Sequence, residues 1–164
     1  MGLGDVKPAI QGSEPVVWAA LSDGLQSFSM AVVGWEIPAP HGDDYDEWLV
    51  VRIRVSSRFG DWEAQAAPFV AGALPPLAHW ARRLADDKRV RNLYYVDPEL
   101  EFGGTSDGEA RRVTVTLRQF YAPDELDDLD DGFGMELVVD AAALRAFAAV
   151  IERQAVRFPS GAFR

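Results

Sequence analysis

The 164-residue chain contains no cysteine, so disulfides, thiolate metal sites, iron–sulfur clusters and cysteine nucleophiles have nothing to form from. Histidine is almost as scarce, with only His41 and His79, and no serine sits in a Gly-x-Ser-x-Gly elbow. Long apolar runs are missing too: nothing approaches the ~18 residues of a membrane span. The start Met1-Gly2-Leu3-Gly4-Asp5-Val6 lacks the basic and apolar regions of a secretory signal, which predicts a cytoplasmic protein. Met1-Gly2 opens like a myristoylation signal, but Val6 stands where Ser or Thr is required. Positive charge is in deficit: 16 Lys and Arg face 26 Asp and Glu, a net charge of -10. Such a balance argues against nucleic acid and anionic membranes as partners. Its complement is a cationic protein; the plainer alternative is that the excess carboxylates only maintain solubility.

What is present is ordinary globular material, 48% hydrophobic with five Trp and nine Phe. A chain of roughly 150 residues buries about 70% of its unfolded surface in one core. Residues 1–14 carry Gly and Pro without periodicity and read as a flexible N-terminal arm. Residues 15–164 read as one α+β domain, with no internal repeat and no linker.

Hydrophobic periodicity places the elements. Val16 to Leu21 predicts a strand, and Phe28, Met30 and Val32 alternate in a second that pairs with it as a hairpin across Ser22-Asp23-Gly24. Leu49, Val51, Ile53 and Val55 share one face of a strand with Arg52 and Arg54 opposite. A partner strand from Asp61 to Ala66 is expected to end at Pro68. Leu74, Leu77, Ala78, Ala81 and Leu84 then recur at helical spacing up to Asp87, with Pro75 and Pro76 tolerated in the first turn. Strands follow at Asn92 to Val96 and Leu100 to Phe102; residues 102–108, Phe-Gly-Gly-Thr-Ser-Asp-Gly, read as a turn. Arg111 to Tyr121 and Phe133 to Val139 alternate again. Asp140 is the expected N-cap of a final helix whose apolar stripe is Leu144, Phe147, Ala148, Ile151, Ala155 and Phe158, stopped by Pro159. The predicted class is α+β, a largely antiparallel sheet of about seven or eight strands packed with two amphipathic helices. The strand at Val16 to Leu21, were it an edge, could pair between copies, so both monomer and homodimer are open.

The most unusual stretch runs Pro-Asp-Glu-Leu-Asp-Asp-Leu-Asp-Asp-Gly over residues 123–132. Carboxylates Asp124, Glu125, Asp127, Asp128, Asp130 and Asp131 fill six of the eight positions 124–131. Aligned as a calcium loop from Asp127, it puts Gly132 correctly at the sixth position. Leu129 at the third cannot ligate, and Val138 stands at the twelfth, where a bidentate Glu is needed. Gly103 and Gly108 have the spacing of a phosphate loop, but Glu109 and Ala110 replace its Lys and Ser or Thr. His41 precedes Asp43, Asp44, Asp46 and Glu47 without the helical context of a firm metal site. His79 beside Trp80 reads as a surface or boundary histidine. Asp97, Glu99 and Glu101 would share one face of an extended chain, where paired acids could serve glycoside hydrolysis, but solvated or cation-facing acids are the simpler reading. No catalytic residue, metal site or cofactor is therefore assigned.

Several short segments do carry a resemblance: Phe28 to Pro38 ending in Gly34-Trp35-Glu36-Ile37-Pro38, then Trp48-Leu49-Val50-Val51, Asp97-Pro98-Glu99-Leu100-Glu101-Phe102, and Arg157-Phe158-Pro159. In order and spacing they resemble the WapI-type immunity proteins, small bacterial cytosolic proteins, over about residues 28–161. Ile37 stands where an aromatic is usual, Asp97 where Glu is, and the ending is longer. The resemblance implies a non-enzymatic protein that binds and neutralises a toxin domain. Together with the charge it makes Asp97, Glu99, Glu101 and the acids of 124–131 candidate contacts for a basic, nuclease-type toxin. An orphan acidic binding or regulatory module is the alternative, since the family includes members with no obvious toxin; a carboxylate-based hydrolase ranks third.

Overall fold

The computed structural model describes residues 16–37, 47–96, 99–118, 121–122 and 132–162. Among the described residues, eight antiparallel strands form two four-stranded meanders. The first contains β1 (Ala19–Ser22), β2 (Ser27–Trp35), β3 (Trp48–Ser57) and β4 (Gly60–Val70); the second contains β5 (Leu93–Val96), β6 (Glu99–Ser106), β7 (Arg111–Leu117) and β8 (Phe133–Val139). Helix α1 (Leu74–Ala85) follows a short 3₁₀ turn at Ala71–Ala73 between the sheets, and α2 (Ala141–Arg157) closes the fold. The expected α+β class holds, with the strands divided between two sheets instead of one.

Alternation is clean in β7 and β8, where Val113, Val115, Leu117, Phe133, Met135, Leu137 and Val139 are buried, and holds for Leu49, Val51, Ile53 and Val55 of β3, whereas β2 is buried on both faces from Met30 to Trp35. One hydrophobic cluster draws on both sheets and both helices. The sheets cross steeply. The row Tyr95, Leu100, Leu117, Phe133 spans one end of the second sheet and runs along β4, with Tyr95 packed on Phe69 and Phe133 on Trp62. That crossing gives the core two apolar walls and leaves each sheet one outer face.

Several boundaries depart from the sequence expectation. β1 begins at Ala19, not Val16. β4 continues through Pro68 to Val70. It is an edge strand, and its register advances three residues, Ala66 to Phe69, against two of β3, Val51 to Leu49. A bulge on an edge removes the ladder hydrogen bond that Pro68 cannot make. Gly103 and Gly104 lie inside β6, not in a turn; the turn is at Asp107–Ala110, where the Asp107 N–H donates to the Ala110 carbonyl. A Cβ on Gly104 would stand 2.5 Å from Leu84 Cδ2 and 3.2 Å from Trp80, so glycine here admits α1 against the strand. β7 ends at Leu117, before Tyr121.

Helix α1 ends at Ala85, two residues short of Asp87. The Asp87 N–H donates to Leu84 and the Lys88 N–H to Arg83, the paired bonds of a Schellman stop, with Asp87 at φ 61° where glycine is usual. Buried Arg111 completes the stop, donating from Nε to the Leu84 carbonyl at 2.7 Å and from Nη2 to Ala85 at 2.9 Å. The α2 N-cap is Asp140 as expected, accepting from the Ala143 N–H at 2.7 Å. Its buried stripe is Leu144, Phe147, Ala148, Ile151 and Gln154, with Ala155 only partly buried.

Candidate functional site

The stretch 124–131 and Asp97 lie outside the described residues, as do His41 and its acids Asp43, Asp44 and Asp46. The described residues that hold the acidic stretch at either side are well fixed. Leu117 and Phe133 are register partners, and Leu117 also pairs with Leu100, one residue from Glu101. β5 ends at Val96 and β6 begins at Glu99, partners in register at this same end. Thus the chain leaves and re-enters the second sheet at one end on both sides of 97–98 and of 119–131, a consequence of the meander.

On the N-terminal side of the stretch stands Tyr121, fully buried. Its hydroxyl donates to the Val51 carbonyl at 3.0 Å and lies 3.4 Å from that of Ala66. Its own carbonyl accepts from Trp62 Nε1 at 2.9 Å. Burial drives the phenol pKa far above its ordinary value, because a phenolate would lose its hydration there. On the C-terminal side stands Gly132 at φ +75°, where a Cβ would meet the Leu117 carbonyl oxygen at 2.7 Å. Only glycine fits such a position without displacing backbone.

Around this base the first sheet presents two hairpin turns. Ser22, Ser27, Ser56 and Asp61 align across its end, and beyond them the turns expose Leu25, 89% accessible, and Phe59, 63% accessible. Asp23 shapes the first turn by accepting from the Leu25 and Gln26 N–H groups at 2.9 and 2.7 Å, which lowers its carboxyl pKa. Both turns reach β8: Gln26 Nε2 donates to the Glu136 carbonyl, and the Phe59 ring meets Phe133 edge-on at 6.0 Å. Exposed Phe59 therefore packs at the start of the strand that follows the acidic stretch, and the turn that carries Leu25 touches the middle of the same strand through Gln26.

Glu101 is the one proposed contact residue with a described side chain. It is half-buried on the outer face of β6 and accepts from Asn92 Nδ2 at 3.1 Å. It lines a polar groove of about 330 Å³ floored by Gly103, Gly104, Thr114 and Thr116, with the Arg112–Glu136 ion pair at 2.8 Å across it. Glu99 opens β6, its side chain outside the described set. Among the described residues no group of three or more His, Asp or Glu is placed to hold a metal. His79 is exposed on α1. No helix among them is long and apolar enough to cross a membrane.

The sequence model of the Immunity protein WapI-like family matches residues 20–159. The chain belongs to that family. The match takes in both sheets, both helices and all the candidate acids. Membership in the WapI-like immunity family points to a toxin-immunity role and to a toxin as the bound partner. No curated protein matches the chain. Sequence reasoning passed over Leu25, Phe59, Tyr121 and Trp62. The available signal was an apolar residue inside each turn, Asp23-Gly24-Leu25 and Arg58-Phe59-Gly60, where no periodic pattern requires one.

Proposed function

We propose that this WapI-like protein is a non-enzymatic inhibitor that neutralises a basic, nuclease-type toxin domain by covering its cationic groove. The contact surface is the end of the molecule where the acidic stretch 124–131 joins the sheet, with Asp97, Glu99 and Glu101 along the adjoining strand end. The observation that carries the reading is the matched family together with the anchoring of that stretch by Tyr121 and Gly132 beside exposed Phe59 and Leu25. Apolar anchors inside a charged rim are the usual anatomy of a tight interface. The anchors supply residence time, and the carboxylates supply encounter rate and exclude the toxin's nucleic-acid substrate.

The test begins with the toxin domain encoded beside this chain. Mixed at equal concentration, the two are expected to copurify, and the toxin's nucleic-acid cleavage to fall in proportion to complex formed. Phe59→Ala is expected to weaken the complex by at least 1 kcal/mol, the range of a truncated interface anchor. A neighbouring toxin that binds without any contribution from Phe59 or the acidic stretch would place the docking surface elsewhere.

A further inference from the structure

A second surface has the opposite charge. Between α1 and the segment 88–92 lies a groove of about 560 Å³, floored by Trp80, Val90 and Leu93 and rimmed by Arg83, Arg89 and Arg91. Its walls are tied together. Trp80 Nε1 donates to the Arg91 carbonyl at 3.0 Å, Arg83 Nη2 to that of Arg89 at 3.2 Å, and the left-handed turn at Asp87 folds the segment back along the helix. Binding would need little ordering of the protein.

Arg52, Arg54, Arg82, Arg112 and Arg145 all pair with carboxylates. Among the described residues none pairs with Arg83, Arg89 or Arg91, in a chain whose net charge is -10. Among the described residues, three arginines without a paired carboxylate thus line one groove with an apolar floor.

We propose that this groove binds a short acidic peptide segment bearing an apolar side chain, contributed by a protein partner. The apolar side chain rests on Val90, Leu93 and the edge of Trp80. Its neighbouring carboxylates accept from the three guanidinium groups, whose planar donors suit carboxylate oxygens. A nucleic-acid strand fits less well: its evenly spaced phosphates need a long cationic track, whereas Asp86 and Asp87 directly follow the same helix. The groove borders the acidic end, since Asn92 at the close of its segment donates to Glu101, but none of the carboxylates proposed to face the toxin lines it.

Backbone amide shifts of the labelled full chain can be followed while three probes are added: a peptide alternating glutamate and leucine, its glutamine analogue, and an oligothymidylate of matched charge. The glutamate–leucine peptide is expected to shift residues 76–93 saturably and to bind more tightly than the other two. Arg89→Gln combined with Arg91→Gln, both exposed, is expected to weaken it roughly tenfold and to flatten its salt dependence. The proposal is overturned if that peptide leaves residues 76–93 unshifted, if the glutamine analogue binds equally, if the oligothymidylate binds better, or if the double variant binds unchanged.

Discussion

Arg111 opens β7 and Tyr121 lies four residues past its other end, and both use the same device, a buried side chain that donates to main-chain carbonyls. Arg111 bonds to Leu84, Ala85 and Gly108, locking the helix stop to a tight turn at Asp107–Ala110. Everything it touches is closed upon itself. The Tyr121 hydroxyl bonds to Val51 and its carbonyl accepts from Trp62, which fixes the chain just before a long acidic stretch, while Trp62 packs on the Phe133 ring that exposed Phe59 also meets. One anchor closes the fold; the other stands beside the surface proposed to meet the toxin. Similar buried bonds therefore need not have similar consequences when lost.

The largest effect expected is from Arg111→Ala, which strands carbonyls of the α1 terminus and removes a charge-assisted set of bonds. A loss of about 3 kcal/mol is expected in urea unfolding, with toxin affinity per folded molecule unchanged. Altered affinity would erase the distinction between the two ends. Next is Gly132→Ala, which sets a Cβ against the Leu117 carbonyl. It is expected to cost about 2 kcal/mol through strain and local displacement and, unlike Arg111→Ala, to weaken toxin binding as well. Tyr121→Phe removes one buried bond and is expected to cost about 1 kcal/mol.

The same tyrosine gives the comparison a pH signature. The folded pKa of Tyr121 is raised well above the ordinary ~10, and burial pushes Tyr95 up to about 12. The folded state therefore holds protons that the unfolded state releases, so these two groups contribute fully below about pH 10 and their contribution falls as pH rises above it. Denaturation followed from pH 8 to 11 is expected to be nearly flat and then to drop, with a shallower drop in Tyr121→Phe. An equal drop in the variant would mean that Tyr121 is not held neutral by burial.

Much of the fold was legible in the chain because alternation and helical period are strong signals where one face is buried. Leu49, Val51, Ile53 and Val55 declare a strand, and Asp140 declares the start of α2. The misread elements turn on neighbours distant in sequence. Gly104 looks like a turn residue until α1 packs against it, and Pro68 looks like a stop until β4 is known to be a bulged edge. The division into two crossing sheets depends on contacts such as Trp62 with Phe133, which no local pattern encodes. Of the candidate site, the acidic stretch is evident from composition alone, while its anchors Tyr121 and Gly132 acquire meaning only from Val51, Trp62 and Leu117.

The most direct measurement is the association rate of the chain with the toxin domain proposed as its partner, across a salt series, for the natural sequence and for a variant with Asp127, Asp128, Asp130 and Asp131 changed to Asn. Attraction between exposed charges fades as the Debye length shortens from ~10 Å at 0.1 M to ~3 Å at 1 M. At low salt the variant is expected to associate about tenfold more slowly or worse, and with a flatter salt dependence, while its unfolding curve stays unchanged. An unchanged rate with an unchanged salt slope would contradict the account and leave those four carboxylates without a part in binding.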